Sequence, residues 1–298
     1  MRLKRLRRRS GGVIDRRASS GSAMGGFGGL SGMGLPVGGG IGVVLLLVIF
    51  FGFQLCSGSG FGIPGDPLDD LGGAGAAPVD AGGPDPEADL VEFVDIVVDD
   101  IQTMWDVEIF TPAGRRYEDT QVVIFRDSTS SGCGPASSAT GPFYCPADGL
   151  VYLDLGFFRD LDQRFDAPGD FARAYVLAHE VGHHVQTLLG TNAAVQRESR
   201  ENPDDANELS VRLELQADCF AGVWAKSVYG LGALEPGDIE EGLDAAAAVG
   251  DDRIQQQTQG RIDPETFTHG TSEQRMTWFT NGYESGNPED CDTFNEDI

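Results

Sequence analysis

The sequence predicts an α+β domain in which helices dominate a small β-sheet, preceded by one transmembrane helix. Three observations carry this. Val37 to Leu55 run nineteen residues without a charge, long enough to span a bilayer. Two long stretches, Asp170 to Leu189 and Asp204 to Tyr229, repeat apolar residues at helical spacing, and each carries a pair of ionisable residues four apart. Between the apolar run and these helices, Gln121–Phe125 and Gly141–Asp154 are short, rich in β-branched and aromatic residues, and bounded by turn formers.

The chain has 298 residues and a net charge of −26, unevenly spread. Residues 1–17 hold eight basic residues (Arg2, Lys4, Arg5, Arg7, Arg8, Arg9, Arg16, Arg17) against the single acid Asp15, leaving 13 basic and 46 acidic residues after position 17. A nucleic-acid arm is the weaker reading of this run, because a membrane signal follows it; no nucleic-acid partner is expected. Residues 1–36 read as a basic, Gly-rich, disordered cytoplasmic segment, and 37–55 as a single-pass anchor. Lys and Arg precede that run and acids follow it, so the N-terminus is expected in the cytoplasm and the rest outside, at the cell membrane. A cleaved signal peptide is the alternative, although its basic region would be unusually long and its apolar core late. Residues 56–88 are a Gly/Pro/Asp tether without apolar periodicity. The globular part is then 89–298, enough chain for one good core.

Within it, Ala88 to Trp105 alternates acids with Leu90, Val91, Phe93, Val94, Ile96, Val97, Val98 and Ile101, an amphipathic helix by its length. The segment 141–154 reads as two strands joined at Ala147-Asp148-Gly149. An exposed strand of this kind can pair with an extended peptide, main chain to main chain; a plain packing sheet is the alternative. Asp170 is placed to cap the next helix and Gly190 to stop it. Gly182 breaks that helix's propensity by roughly 1 kcal/mol against Ala, which implies a close neighbour. Thr191 to Pro203 reads as a polar loop. A second long helix follows, closed by Gly230. The tail, Thr266 to Ile298, looks too polar to hold itself on the core.

The chemistry lies in Ala178-His179-Glu180-Val181-Gly182-His183-His184. Four residues apart on a helix, His179 and His183 present two imidazoles to one ion. Glu180 stands about 100° round from His179, placed to touch a water rather than the ion. The second helix holds Glu214 and Asp218, again four apart, among Leu209, Leu213, Leu215, Ala217, Phe220, Val223 and Trp224. Buried carboxylates are costly unless they meet a cation or donors. Glu214 is therefore the candidate third ligand, and Asp218 the acceptor for the free N–H of a ligating imidazole. His184 points about 100° away from His183 and reads as a surface or supporting residue. His269 could donate to an oxyanion or serve structurally, and Tyr144, Tyr152 and Tyr175 could act as donors too.

Cys133-Gly-Pro-Ala, Gly141-Pro-Phe-Tyr-Cys-Pro, Val151-Tyr-Leu-Asp, His179-Glu-Val-Gly-His-His, Glu214-Leu-Gln-Ala-Asp-Cys-Phe-Ala-Gly-Val-Trp-Ala and Phe267-Thr-His-Gly-Thr-Ser-Glu-Gln-Arg together resemble the bacterial neutral zinc metallopeptidase family. The resemblance covers nearly all of 89–298 and touches Val13-Ile-Asp-Arg-Arg17. It implies a membrane-anchored, zincin-like domain with a gluzincin-like site and Zn2+ as cofactor.

Of five cysteines, four lie in the globular part, where an oxidising compartment favours two disulfides. Three pairings are possible; the order in the chain favours Cys133–Cys145 and Cys219–Cys291. Cys56, at the outer edge of the apolar run, is either a lone thiol or a lipidation site, though no convincing lipobox precedes it. The expected activity is hydrolysis of peptide bonds in a peptide or protein substrate. Zinc on His179, His183 and Glu214 would activate water, and Glu180 would take the proton and deliver it to the leaving amine. The rivals are a catalytically silent zincin-like envelope scaffold and a zinc hydrolase acting on bonds other than peptides.

Overall fold

The computed structural model describes residues 1–9, 11–19 and 84–298. The expected transmembrane helix at 37–55, Cys56 and most of the 56–88 tether lie outside the described residues. Among the described residues no helix is long and apolar enough to cross a membrane.

The architecture is α+β, helices around a small mixed sheet. Helix α1 (Ala88–Met104) buries Phe93, Val94, Ile96, Val97, Val98, Ile101 and Met104 and runs on into a wider π-turn over Trp105–Phe110. The sheet has the order β1-β2-β6-β5, from β1 (Val13–Asp15), β2 (Val122–Phe125), β6 (Leu150–Asp154) and β5 (Phe143–Cys145). The first three are parallel and β5 is an antiparallel edge. Side chains alternate along a strand, so Val122, Ile124, Val151 and Leu153 enter the main core with the helices. Val123, Phe125 and Tyr152 enter a smaller cluster on the other face. That cluster is covered by a hairpin of β3 (Ser128–Ser131) and β4 (Gly134–Ser137), which the Cys133–Cys145 disulfide ties to β5.

After α2 (Gly156–Gln163) comes α3 (Asp170–Leu189), the helix expected to carry the ion. Gly190 ends it in the left-handed conformation, as a C-terminal glycine does without steric cost. Asp170 is not its cap, because the helix starts from Gly169 without a side-chain cap. Instead Glu241 of a later helix accepts the Phe171 N–H at 3.0 Å. The expected loop at 191–203 is largely a helix, α4 (Thr191–Glu201), followed by a short 3-10 turn. Only Val195 and Ser199 of α4 are buried, so its composition resembles a loop's. Helix α5 (Ala206–Gly230) is the second long helix, followed by α6 (Asp238–Ala248), α7 (Asp251–Gln259) and α8 (Ser272–Ser285).

Two expectations are corrected. The tail holds itself well: α8 buries Trp278 and Phe279 and lies backbone to backbone on α5. A Cβ at Gly222 would stand 2.1 Å from the Phe279 carbonyl oxygen, and one at Gly282 would stand 1.9 Å from that of Cys219. Likewise, residues 1–9 and 11–19, expected to be disordered, are folded against the domain. Met1 and Leu6 join the core, β1 adds a strand, and the arginines meet acids of the domain. Composition alone marked this segment as disordered because its charges were counted without the acidic partners that neutralise them.

Candidate metal centre

Helices α3 and α5 cross where Gly182 faces Ala217; a Cβ on Gly182 would lie 3.1 Å from the Ala217 carbonyl oxygen. This is the close neighbour that the glycine implied, and it brings the two ionisable pairs together. His179 Nε2 lies 3.2 Å from one Glu214 carboxylate oxygen and His183 Nε2 3.5 Å from the other. Tetrahedral zinc with bonds of about 2.0–2.1 Å needs ligand atoms about 3.3 Å apart. The ligand atoms of His179, His183 and Glu214 all fall within 4.8 Å of one another. His183 keeps 15 % of its side chain exposed, so the position is open to solvent on one side.

Each imidazole has its far nitrogen occupied. Nδ1 of His179 lies 2.8 Å from Asp218, and Nδ1 of His183 lies 2.9 Å from the Gln186 side-chain oxygen. An N–H given to these acceptors fixes the tautomer and leaves both Nε2 lone pairs on the Glu214 side. Gln186 is held in turn by donating to the Leu213 carbonyl (2.7 Å). Asp218 is fully buried and also accepts from the Tyr175 hydroxyl and from Arg275, whose Nε and Nη2 reach its two oxygens at 2.7 and 2.9 Å. Arg275 projects from α8, and α5 and the C-terminal segment are bonded through Cys219–Cys291.

The electrostatics describe a site that attracts positive charge. Burial alone would lower the His179 pKa, but the charge and hydrogen bond of Asp218 overcome it and raise it to about 10. Burial would raise Glu214, yet His183 and His179 hold it well below the usual carboxylate range. Burial would likewise raise Asp218, and Arg275 and His179 lower it. A divalent cation supplies that positive charge without protonating an imidazole. The donor set of two imidazoles, both tied behind, and one carboxylate fits zinc.

Glu180 lies beside this position, 8 % exposed. Burial pushes its carboxyl up, opposed by the charges of His179 and His183 and by the nearby Tyr144 backbone N–H. Tyr144 is the middle residue of edge strand β5, so the strand lies beside Glu180. Beneath, His184 is buried between the Glu118 carbonyl (2.6 Å) and the Tyr144 hydroxyl (3.2 Å), locking β5 to α3; the structure gives it no place among the clustered atoms. Tyr152 faces away, donating to Asp148 at 2.7 Å. His269 is held by Asp251, which lies 3.0 Å from Nδ1 and accepts its backbone N–H at 2.7 Å. Its pKa is raised: burial opposes this, and the Asp251 hydrogen bond and the Glu214 charge favour it. Next to it, Gly270 rests on Val211 and Leu215, the residues bracketing Glu214 on α5.

With this geometry in view, the comparisons with known proteins decide the family. A family described as "Putative neutral zinc metallopeptidase" matches residues 1–294. The chain belongs to that family. One relative, the protein YpfJ of Escherichia coli (strain K12), is 45 % identical over 295 residues, covering 98 % of each chain. Another, Rv2575 of Mycobacterium tuberculosis (strain H37Rv), is 49 % identical over 197 residues, covering 62 % of this chain and 66 % of its own. No solved structure matches. The match to the metallopeptidase family includes the N-terminal segment that composition had set apart.

Sequence reasoning missed Gln186, Asp251 and Arg275. Arg275 had left a signal: Asp218 sits in an apolar helix and needs a cation, and only five basic residues follow position 206. In Gln186 the signal was its spacing, three residues after His183 on the same helix face.

Proposed function

We propose that this chain is a zinc-dependent peptidase that hydrolyses peptide bonds with Glu180 as general base. The observation that carries the reading is the convergence of His179, His183 and Glu214 at tetrahedral-edge distances with both imidazole Nδ1 atoms engaged. Zinc held there would supply Lewis acidity to a water molecule and to the scissile carbonyl. Glu180 takes the water's proton and returns it to the leaving amine; its burial brings its pKa closer to that task. Asp251 on Nδ1 favours the imidazolium form of His269, in which Nε2 also carries a proton and can donate it in a hydrogen bond to the carbonyl oxygen as negative charge develops there. An extended substrate lies along the outer edge of β5, where main-chain pairing holds the scissile bond beside Glu180.

The two disulfides support a domain outside the cytoplasm, and the apolar run at 37–55 supports attachment to the membrane. Metal analysis of the purified full chain, combined with digestion of an unbiased peptide library, tests the activity. One zinc per chain with cleavage is expected. Zinc without cleavage leaves the scaffold and the hydrolase of other bonds, and no zinc at all refutes the peptidase.

A further inference from the structure

The arginines that set the expected orientation in the membrane are not free to act as a cytoplasmic charge cluster. Arg7 donates from its backbone N–H to Asp100 at 2.7 Å and from its guanidinium to the same carboxylate at 3.1 Å. Asp100 is fully buried on α1 and also accepts the indole N–H of Trp224, from α5, at 2.9 Å. The Arg9 backbone N–H meets Asp99 at 3.0 Å, and its guanidinium spans Asp106 at 2.9 Å and Asp119 at 3.0 Å. Arg17 pairs with Asp85 and Glu87, at the start of α1. Between these points β1 lies parallel on β2, with Val13 opposite Val122, Ile14 opposite Val123 and Asp15 opposite Ile124.

These contacts explain two features of the domain itself. Asp99 and Asp100 lie on the buried side of a helix otherwise packed with valine and isoleucine, and a buried carboxylate without partners is strongly unfavourable. Strand β2, buried at all four positions, would otherwise leave an apolar edge of the sheet open. Residues 1–19 meet both needs. A single crossing of a bilayer between residues 19 and 84 would separate β1 from β2 by about 30 Å of hydrocarbon, and hydrogen-bonded strands stand about 4.8 Å apart.

We infer that the acidic face of α1 and the open edge of β2 are a docking surface for residues 1–19 of the same chain, which therefore lie on the same side of the membrane as the metal centre. The positive-inside count then does not orient this protein, because five of the eight counted charges, on Arg2, Arg7, Arg8, Arg9 and Arg17, are ion-paired with acids of the domain.

Two measurements test this in the full-length chain, neither depending on zinc or hydrolysis. The first introduces Arg8→Cys or Val107→Cys, side chains 53 % exposed and a residue 58 % exposed, in a Cys56→Ser background. Intact cells are then treated with a membrane-impermeant maleimide. Both cysteines are expected to label to the same extent, within twofold, or both to be protected until lysis. Labelling of one and protection of the other overturns the inference. The second compares trypsin cleavage within residues 2–9 in the parent, Arg7→Glu and the milder Arg9→Gln. At least tenfold faster cleavage in Arg7→Glu, or failure of that variant to fold, supports docking, since a segment across the membrane could do neither. Equal cleavage rates in all three refute it.

Discussion

Replacing Arg275 by Met removes the cation from Asp218 while keeping a similar side-chain length in the core. In the parent, a residue 2 % exposed makes two hydrogen bonds, at 2.7 and 2.9 Å, to a carboxylate with no exposure at all. Breaking such a buried pair from one side costs about 3–5 kcal/mol, because the remaining charge is left uncompensated. Tyr175 and His179 still donate to Asp218, which favours the lower part of that range. With the Arg275 charge gone, burial dominates and the Asp218 carboxyl rises. It then holds the His179 imidazole less firmly, and loss of such a supporting partner weakens metal binding about 10–100-fold. Urea unfolding of the metal-free protein should show the first loss, and chelator competition the second. Because ligand stabilisation scales with the logarithm of affinity, the parent–variant gap should widen by about 1.4–2.7 kcal/mol when both are zinc-loaded. Arg275→Lys keeps the charge without the two-pronged geometry and should fall between. Metal-free stability within about 1 kcal/mol of the parent, with unchanged zinc affinity, would refute the account.

Glu180→Gln should retain one zinc per chain and lose about 100-fold or more in peptide hydrolysis, whereas Glu214→Ala should lose the zinc, both read by metal analysis and a peptide assay. Gly222→Ala places a methyl group 2.1 Å from a carbonyl oxygen and should destabilise by about 1–3 kcal/mol in urea; Gly230→Ala, with nothing within 4 Å, should be neutral or stabilising by up to about 1 kcal/mol. Reducing Cys219–Cys291, which are 72 residues apart, should remove about 4 kcal/mol in the chain-entropy model and weaken zinc binding with it. The signature is coincident loss in denaturation and zinc titration, and unchanged zinc affinity in the reduced, folded protein would dissociate the tail from the site.

The centre was legible because helical periodicity converts sequence spacing into geometry. His179 and His183, then Glu214 and Asp218, needed only two helices facing each other, and Gly182 marked where they touch. The β5–β6 hairpin was legible for a similar reason, with Asp148 and Gly149 punctuating two short β-forming runs. What stayed hidden depends on contacts distant in sequence. Arg275 lies 57 residues after the carboxylate it holds, and nothing local distinguishes a buried arginine from a solvated one. Residues 1–9 read as a charged tail because their partners, Asp99, Asp100 and Asp106, lie about 90 or more residues away. Helix α4 was missed because it buries too little for a period to show.

The glycine contacts among α3, α5 and α8 bear on motion. Where Gly182 meets Ala217, and Gly222 and Gly282 meet carbonyl oxygens, main chain rests on main chain. At these points no side chain lies between the helices to change rotamer and let them slide past one another. The three helices should therefore move as one rigid body carrying His179, His183, Glu214, Asp218 and Arg275 together. Conformational adjustment on substrate binding then falls to what borders that body, the β5 edge at Tyr144 and the His269–Gly270 segment crossing α5. In hydrogen exchange, amides around Gly182 and Gly222 should open only with global unfolding, while those of residues 267–271 exchange through local fluctuations.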